Sequence, residues 1–261
     1  MSNRDESGGS IKSLNRAAMI LNFIGRNQNN VSLTAISEGL NLNKSTIHGL
    51  LSTLVKLGYA KQLSERGKYS LGLKLYELGQ IVYNSMDIGQ IAKPFLEELS
   101  AEYGETVHLA VLSGSEVLYL DKVAGTHAIS MMSRSGSRAQ AYCTGLGKAL
   151  LSGFSDDEVR EILRDVTFEQ YTPSTVKDMK ALIAELGKIR ESGYAVDDEE
   201  VEIGLSCVAG VVRDHFGKVV AAVSVAGPTL RFTSERILSL TARVISVCEK
   251  ISRQMGYNHK L

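Results

Sequence analysis

A short segment of this 261-residue chain carries polar and basic side chains at helical spacing, all on one face. Asn43 is a suitable helix cap, and the residues that follow it stand in a first turn whose backbone N–H groups remain free. At about 100° per residue, the outer face continues through His48 and Ser52 to Lys56. Short polar side chains of this kind can approach phosphates and base edges. The predicted DNA-binding residues of the helix are Lys44, Ser45, Thr46, His48 and Ser52.

The residues behind this face predict a helix-turn-helix. Apolar residues within 47–54 form a stripe that would hold the helix against two others. The first of these has apolar residues at helical spacing over 11–21 and ends at the polar run 25–30. Ser32 caps a short second helix, and residues 39–43 form the turn. This order is typical of a DNA-binding module, although a packing module that binds no nucleic acid can contain the same three helices.

The residues after this helix predict a β-wing. Gly58 ends the helix, and the stretches 59–63 and 68–71 predict two short strands. Arg66 and Lys68 lie near the tip of the wing, where their charges can reach phosphates or the adjacent minor groove. Both residues therefore join the predicted DNA-binding set.

Composition argues against several other classes of protein. With 44% apolar and 22% charged residues, the chain can bury one large core or two modest ones. We find no apolar run of the ~18–20 residues that a membrane span needs, and no apolar stretch typical of a secretory signal near the N-terminus. Cys143, Cys207 and Cys248 are odd in number and lack metal-ligand spacing, which argues against a disulfide framework or a zinc site. A soluble cytoplasmic protein without a membrane partner or a metal is expected.

The net charge of zero conceals an asymmetry along the chain. Residues 1–80 hold ten Lys and Arg against five Asp and Glu, whereas the remainder holds 19 against 24. A basic block beside an acidic block is consistent with a polyanion-binding module joined to a domain of another kind.

Beyond the wing, the pattern predicts a connecting helix and then a mixed domain. The apolar stripe over 71–82 favours a stiff helix to residue 87, whose exposed apolar residues would suit a subunit contact. Strand pairs flanked by helices, without βαβ alternation, favour an antiparallel α+β fold. The predicted elements are a hairpin of 106–112 and 116–123, a third strand over 128–133, an antiparallel pair of 207–213 and 218–225, and a terminal helix over 234–255.

Two further helices are predicted from their ends. A capping box over 155–158 begins one of them. Ser174 or Thr175 would cap a longer helix that Gly193 closes.

A glycine-rich segment, 144–149, lies where a loop enters a short helix that ends near Leu151. The amides of Gly145 and Leu146 could hold a carboxylate. A glycine-rich packing turn is the alternative. A nucleotide phosphate loop does not fit, because Ala149 stands where that motif needs Ser or Thr after the lysine.

Two other groups of residues could take part in chemistry. The acidic run 197–200 predicts a solvated loop, within which Asp197 is the main candidate for a ligand contact. His108 or His127 could form a nucleophile pair with Cys207, although no local signature positions them.

Several motifs together resemble the IclR family of bacterial transcriptional regulators, and the resemblance spans about residues 11–255. They are Ser13-Leu-Asn-Arg-Ala17, Leu42-Asn-Lys-Ser-Thr-Ile-His48, Gly58-Tyr59, Gly136-Ser-Arg138, Thr144-Gly-Leu-Gly-Lys-Ala149, Asp197-Asp-Glu-Glu200, Gly204-Leu-Ser-Cys-Val-Ala209 and Ala222-Val-Ser-Val-Ala-Gly-Pro228. The resemblance implies an N-terminal winged helix, a C-terminal GAF-like effector domain, and dimers or tetramers on palindromic operators.

The resemblance also implies an effector pocket. Ser224 and Asp197 would bond hydroxyl or carbonyl oxygens of the effector, and aliphatic side chains would provide an apolar wall. Ala226 stands where some relatives have a second hydroxyl, which indicates an effector of different shape or polarity. Gly49 stands where the family commonly has a bulky, often basic residue, so the operator sequence cannot be carried over. The implied pocket residues are Met131, Gly145, Leu146, Asp197, Leu205, Cys207, Ser224 and Ala226.

The sequence as a whole predicts a ligand-responsive, sequence-specific transcriptional regulator of a small-molecule catabolic operon, with no cofactor. The expected partners are operator DNA, an organic-acid or sugar-acid effector that is a carboxylate, and further copies of the chain in a homodimer or a dimer of dimers. The expected organisation is a disordered segment 1–10, a winged helix-turn-helix 11–72, a linker helix 73–87 and an effector domain 88–258. The alternatives are an enzyme that processes a small acid with Cys207 as nucleophile, and a sensor that signals through protein contacts alone.

Overall fold

The computed structural model describes five stretches of the chain. They are residues 11–27, 29–63, 67–85, 87–127 and 134–257. The chain forms two compact units, divided between Ser85 and Met86. Within the described stretches, no helix is both long and apolar enough to cross a membrane.

The first unit is a winged helix-turn-helix with one further helix. Ile20, Ile24, Ile36, Ile47 and Leu51 are completely buried and hold its first three helices together. The apolar stripe predicted behind the DNA-reading face therefore packs as expected. The elements are α1 (Lys12–Arg26), α2 (Leu33–Leu40), α3 (Lys44–Lys56), β1 (Ala60–Gln62), β2 (Tyr69–Leu71) and α4 (Leu73–Ser85).

The ends of these helices only partly follow the predicted capping chemistry. The Ser32 hydroxyl accepts a hydrogen bond from the backbone N–H of Ala35, which confirms the cap of α2. Asn43 occupies the cap position of α3, but its side chain makes no capping hydrogen bond. The side-chain part of that prediction is wrong, and the first turn of α3 keeps its donors. The chain leaves α2 through Asn41, which adopts a left-handed conformation with φ of 50°.

The wing is a short antiparallel pair, in which Ala60 faces Leu71 and Gln62 faces Tyr69. The strands are shorter than predicted at their outer ends. Tyr69 also pairs with Val31, which ties the wing to the segment before α2. Residues 64–66, and with them the predicted contact Arg66, lie outside the described residues.

The second unit is a six-stranded antiparallel sheet with helices on both faces, and this confirms the predicted α+β class. The strand order is β5-β4-β3-β8-β7-β6. Its elements are α5 (Asp87–Tyr103), β3 (Thr106–Ser113), β4 (Glu116–Val123), β5 (Arg138–Gln140), α6 (Gly145–Leu151), α7 (Asp156–Ile162), α8 (Met179–Ser192), β6 (Tyr194–Asp198), β7 (Leu205–Arg213), β8 (Val219–Pro228), a 3₁₀ turn (Thr229–Arg231) and α9 (Ser234–Gln254).

Side chains alternate between two cores because successive residues of a strand point to opposite faces. On β3, Val107 and Leu109 pack with α5 and α9. Ala110 belongs to the other core, with α6, α7 and α8. The sheet is therefore covered on both sides, and the residues that face α6 are those available to a cavity on that side.

Most predicted elements of the second unit are confirmed, including the β3–β4 hairpin, the β7–β8 pair and the Ser155 capping box. The predicted cap of α8 is wrong. Asp178 caps this helix by accepting from the Ala181 N–H. The Thr175 hydroxyl instead donates to the carbonyl of Glu200. The strand predicted over 128–133 lies outside the described residues.

The structure predicts opposite effects for alanine at two helical glycines of the first unit. Gly49 lies in the exposed middle of α3, where an added Cβ would meet no atom within 4 Å. Gly49→Ala should raise the free energy of unfolding of the first unit by about 1 kcal/mol, because glycine is the poorer helix former. Gly39 of α2 is the matched control, since its Cβ would lie 2.3 Å from Cε2 of Phe23. In urea unfolding, Gly39→Ala should lower the free energy of unfolding. If both substitutions change this free energy equally, the space around each glycine does not decide the outcome.

Candidate functional site

The outer face of α3 is an open polar surface. Lys44, Ser45, His48 and Ser52 are exposed, and Thr46 is half-buried. These side chains face the solvent because the apolar side chains on the opposite side of α3 are buried. Five of the seven predicted DNA-binding residues thus lie together on one face of a helix.

The remaining two predicted contacts belong to the wing. Lys68 is exposed immediately before β2. Arg66 lies outside the described residues. On α3 itself, the exposed Gly49 lies among small polar residues, so the backbone of the helix is accessible at this point.

The second unit contains a small cavity between α6 and the sheet, with a volume of about 60 Å³. Six of the eight residues implied by the family resemblance line it, namely Leu146, Asp197, Leu205, Cys207, Ser224 and Ala226. Gly145 lies beside it, and Met131 lies outside the described residues. A Cβ at Gly145 would come within 2.5 Å of Sγ of Cys207, so glycine is needed for α6 to approach the sheet this closely.

The cavity wall also contains residues outside the set that the family resemblance implies. They are His108, Tyr119, Ala139, Thr144 and Val201. His108 lies directly opposite Ser224 in the β3–β8 ladder, and its ring meets that of Tyr119 edge-on at 5.2 Å. Only the pairing of β3 with β8 brings His108 to Ser224, and the alternation within each strand does not reveal that pairing.

The α6 end of the cavity is held by hydrogen bonds of Thr144. The Thr144 hydroxyl caps α6 by accepting from the Gly147 N–H and donates to the carbonyl of Gln140. The backbone of Gly145 lies close to the sulfur of Cys207.

Behind the cavity, Lys148 of α6 is completely buried and forms the centre of a polar network. Its Nζ donates to a carboxylate oxygen of Glu185 on α8, to one of Glu200, and at 2.8 Å to the carbonyl of Val196 on β6. The Glu200 N–H in turn donates to Oδ1 of Asp197 at 2.9 Å. One ammonium group thus links α6, α8 and β6 to the carboxylate that faces the cavity.

This network corrects the prediction of a solvated acidic loop at 197–200. Asp197 and Glu200 are buried, while Asp198 is exposed. The Thr172 and Thr175 hydroxyls hold the carbonyls of Glu199 and Glu200, each at 2.6 Å. The run folds inward because the carbonyls of Glu199 and Glu200 and the carboxylates of Asp197 and Glu200 have partners in the protein.

Burial changes the protonation chemistry of the cavity wall. It raises the pKa of Asp197 to about 6 and that of Glu200 to about 7, although Lys148 opposes both shifts. The pKa of the Cys207 thiol is raised by burial and by the nearby Asp197 carboxylate. Burial lowers the pKa of His108 to about 3. At neutral pH the cavity therefore presents a neutral imidazole and a protonated thiol.

Removal of the Lys148 charge should destabilise the second unit. Lys148→Met leaves the buried Glu200 carboxylate without its counter-ion, which costs about 3–5 kcal/mol in comparable sites. The loss should be larger at pH 8 than at pH 5.5, because the Glu200 pKa of about 7 means that its carboxyl is protonated at the lower pH. Urea unfolding at both pH values measures this difference.

The double variant Lys148→Met/Glu200→Gln provides the matched test, since it removes both partners of one ion pair. It should recover part of the stability lost in Lys148→Met at pH 8. Equal losses at the two pH values, without any recovery in the double variant, would show that the network is not electrostatically coupled.

Among the described residues, no three His, Cys, Asp or Glu side chains converge in a way that could hold a metal ion. The polar groups of the cavity are suited to hydrogen bonds with a small organic molecule.

Sequence profiles of known families match both parts of the chain. The profile described as the IclR helix-turn-helix domain matches residues 13–64, and that described as bacterial transcriptional regulator IclR C-terminal matches residues 80–253. The HTH-type transcriptional regulator KdgR of Escherichia coli strain K12 is 38% identical over 254 residues, which are 97% of this chain and 96% of that protein.

Solved structures have the same fold. The crystal structure of the Thermotoga maritima IclR has a TM-score of 0.77 and 37% identity, and the match covers 95% of this chain and 100% of the other. An IclR homolog from Microbacterium hydrocarbonoxydans, solved in complex with 4-hydroxybenzoate, has a TM-score of 0.83 and 25% identity, with coverage of 94% and 99%.

Proposed function

This chain belongs to the IclR family of bacterial transcriptional regulators, and we propose that a small organic acid in the cavity of the second unit controls its binding to operator DNA. The protein is a DNA-binding, ligand-responsive regulator of catabolic genes and not an enzyme. The proposal concerns the residues that contact DNA, the chemistry of the effector and the assembly of the chain.

The exposed polar face of α3 carries the DNA-binding part of the proposal. Lys44 and Lys68 contact phosphates, and short polar side chains at the start of α3 approach base edges in the major groove. The free donors of the first turn, which Asn43 leaves uncapped, add to the attraction for phosphate. The proposed contacts are Lys44, Ser45, Thr46, His48, Ser52, Arg66 and Lys68.

Fluorescence anisotropy with labelled fragments of the source genome tests this part directly. At least one fragment should bind with an affinity that falls steeply as salt concentration rises, because cations are released from the duplex. Absence of salt-sensitive binding to every fragment, with or without small acids, would overturn it.

The effector is proposed to be a carboxylate held in the cavity. The Leu146 amide at the start of α6 and the Ser224 hydroxyl supply donors, while Leu205 contributes apolar wall. A pKa of about 6 lets Asp197 take up a proton when an anion approaches, which reduces the repulsion between them. The Microbacterium homolog was solved with 4-hydroxybenzoate, which is itself a carboxylate.

The chain is proposed to act in the cytoplasm as a homodimer or a dimer of dimers. Leu73, Tyr76 and Ile81 expose 79%, 66% and 65% of their surface on α4. Apolar residues exposed together on one helix favour burial against another copy of the chain. Two winged helices in one assembly would then read the two halves of a palindromic operator.

The observed chemistry does not favour an enzyme with Cys207 as nucleophile. A nucleophilic cysteine needs a lowered pKa and access to substrate, whereas burial raises the pKa of Cys207. His108 lies near the same cavity, but its pKa of about 3 makes it a poor proton acceptor.

We expect Lys68→Ala to weaken binding to all DNA sequences alike. Loss of one phosphate contact should flatten the dependence of log K on log salt concentration by about one unit. Anisotropy titrations at several salt concentrations measure the slope. Lys180→Ala, which removes an exposed charge from the second unit, is the control and should leave the slope unchanged. An unaltered slope in Lys68→Ala would exclude Lys68 from the phosphate contacts.

Ser224→Ala should separate effector binding from DNA binding. A thermal-shift screen of small carboxylates first identifies an acid that stabilises the protein, because a bound ligand raises the apparent stability. The variant should then need a higher concentration of this acid for the same change in DNA affinity, while its affinity without acid stays near wild type. Ser192→Ala, on the surface at the end of α8, serves as control. If Ser224→Ala weakens the response to the acid and the DNA affinity without acid to the same extent, the variant has a folding defect and a ligand contact of Ser224 is contradicted.

A further inference from the structure

The polar run 25–30 ends α1, and one of its residues also holds the wing. Asn29 is exposed and adopts a left-handed backbone conformation, with φ of 57°. Its N–H donates at 3.1 Å to the carbonyl of Ile24, a completely buried residue of α1. Its side-chain oxygen Oδ1 accepts a hydrogen bond from the N–H of Leu71, the last residue of β2. Asn29 therefore connects the end of α1 to the wing, 42 residues later in the chain.

The side chain of Asn29 takes the place of a backbone acceptor. Along one edge of a strand, the N–H groups of every second residue point outward. On this edge of β2, the N–H of Tyr69 donates to the carbonyl of Val31 at 2.7 Å, and the N–H of Val31 donates back at 3.0 Å. This bridge is isolated and the chain turns at Asn29, so the acceptor opposite Leu71 is a side-chain oxygen instead of a carbonyl. The edge of β2 is thus held at two points, one of which depends on a single side chain.

The position of β2 decides where the wing presents its charge. Lys68 is exposed and directly precedes Tyr69, and its carbonyl accepts at 2.9 Å from the N–H of Leu63 on the opposite arm of the wing. Tyr69 is buried and Leu71 is half-buried, so β2 packs on the core of the first unit. A strand held at one point can rotate about it, whereas a second hydrogen bond fixes its direction. The Asn29 bond therefore fixes the direction in which Lys68 leaves the wing.

We propose that Asn29 is a positioning residue for DNA binding, which holds β2 so that Lys68 meets a phosphate of the duplex. Asn29 acts through the N–H of Leu71 and carries no charge itself. The assignment rests on the proposed phosphate contact of Lys68. It adds a residue outside α3 and the wing, whose loss weakens that contact without removing any charge from the protein.

Asn29→Gly removes the side-chain acceptor and keeps the backbone conformation, because glycine adopts a positive φ readily. The substitution removes no charge, so it changes the slope of log K against log salt concentration only if a phosphate contact is lost elsewhere. We expect the slope to flatten by at least about half a unit, in the direction of the change of about one unit expected of Lys68→Ala. Anisotropy titrations of the full chain at several salt concentrations, with a fragment that the wild type binds, measure this slope.

A comparison with the double variant shows whether Asn29 acts through Lys68. Lys68→Ala should change the slope less in the Asn29→Gly background than in wild type, because the contact is already weakened. Asn41→Gly is the matched control, since Asn41 has a similar left-handed conformation, with φ of 50°, at the end of α2. This variant should keep the wild-type slope, and its effect on affinity should add to that of Lys68→Ala.

Hydrogen exchange tests the anchor itself without DNA. Loss of one net hydrogen bond should raise the exchange rate of the Leu71 N–H in Asn29→Gly by about fivefold. The Tyr69 N–H, which donates to the carbonyl of Val31, should change much less. Exchange in the full chain, followed by mass spectrometry that resolves single residues, measures both rates.

The outcomes separate this inference from the proposal on which it rests. If Lys68→Ala flattens the slope and Asn29→Gly does not, the Lys68 contact stands and the positioning role is wrong. Full additivity of these two substitutions, or an unchanged exchange rate at Leu71, would also overturn the role. If neither substitution changes the slope, the proposed Lys68 contact fails and the positioning role fails with it.

Discussion

The geometry of the cavity depends on one buried ammonium group. Nζ of Lys148 contacts carboxylates of Glu185 and Glu200 and a backbone carbonyl of β6, and its side chain is fully shielded from water. Burial of a charge is expensive unless it is paired and hydrogen-bonded. The positions of α6, α8 and the 197–200 segment are therefore tied together, because movement of any one of them would leave a buried charge or carbonyl without its partner.

The same network sets the electrostatic character of the cavity. Glu185 and Glu200 neutralise the Lys148 charge behind the cavity wall. Among the described residues that line the cavity, Asp197 is the only carboxylic acid. Burial brings the pKa of Asp197 to about 6 and keeps His108 and Cys207 uncharged at neutral pH. Such a wall is suited to recognition by hydrogen bonds more than to proton transfer or nucleophilic attack. This chemistry accords with a regulator, whose ligand must be bound and released unchanged.

The two units use polar groups in opposite ways. In the first unit Ile47 and Leu51 of α3 are completely buried, and the polar face of the helix is left to the solvent. In the second unit polar side chains lie inside, around a cavity, and each needs a defined partner. Surface polar residues can be substituted at little cost in stability, whereas the buried ones constrain one another.

Features encoded by local spacing were accessible from the sequence alone. The helical period of 47–54, the Ser32 cap and the two hairpins depend on residues a few positions apart, and each was predicted correctly. The cavity residues came from the family resemblance, because they lie on α6, β6, β7 and β8 and no local pattern relates these elements.

Only the tertiary structure places His108 opposite Ser224, and Lys148 against Glu185 and Glu200. It also decides that Asp178 caps α8, since Thr175 is engaged by the carbonyl of Glu200. Strand register and buried ion pairs join residues distant in the chain, and their energies depend on burial that exists only after the elements have packed.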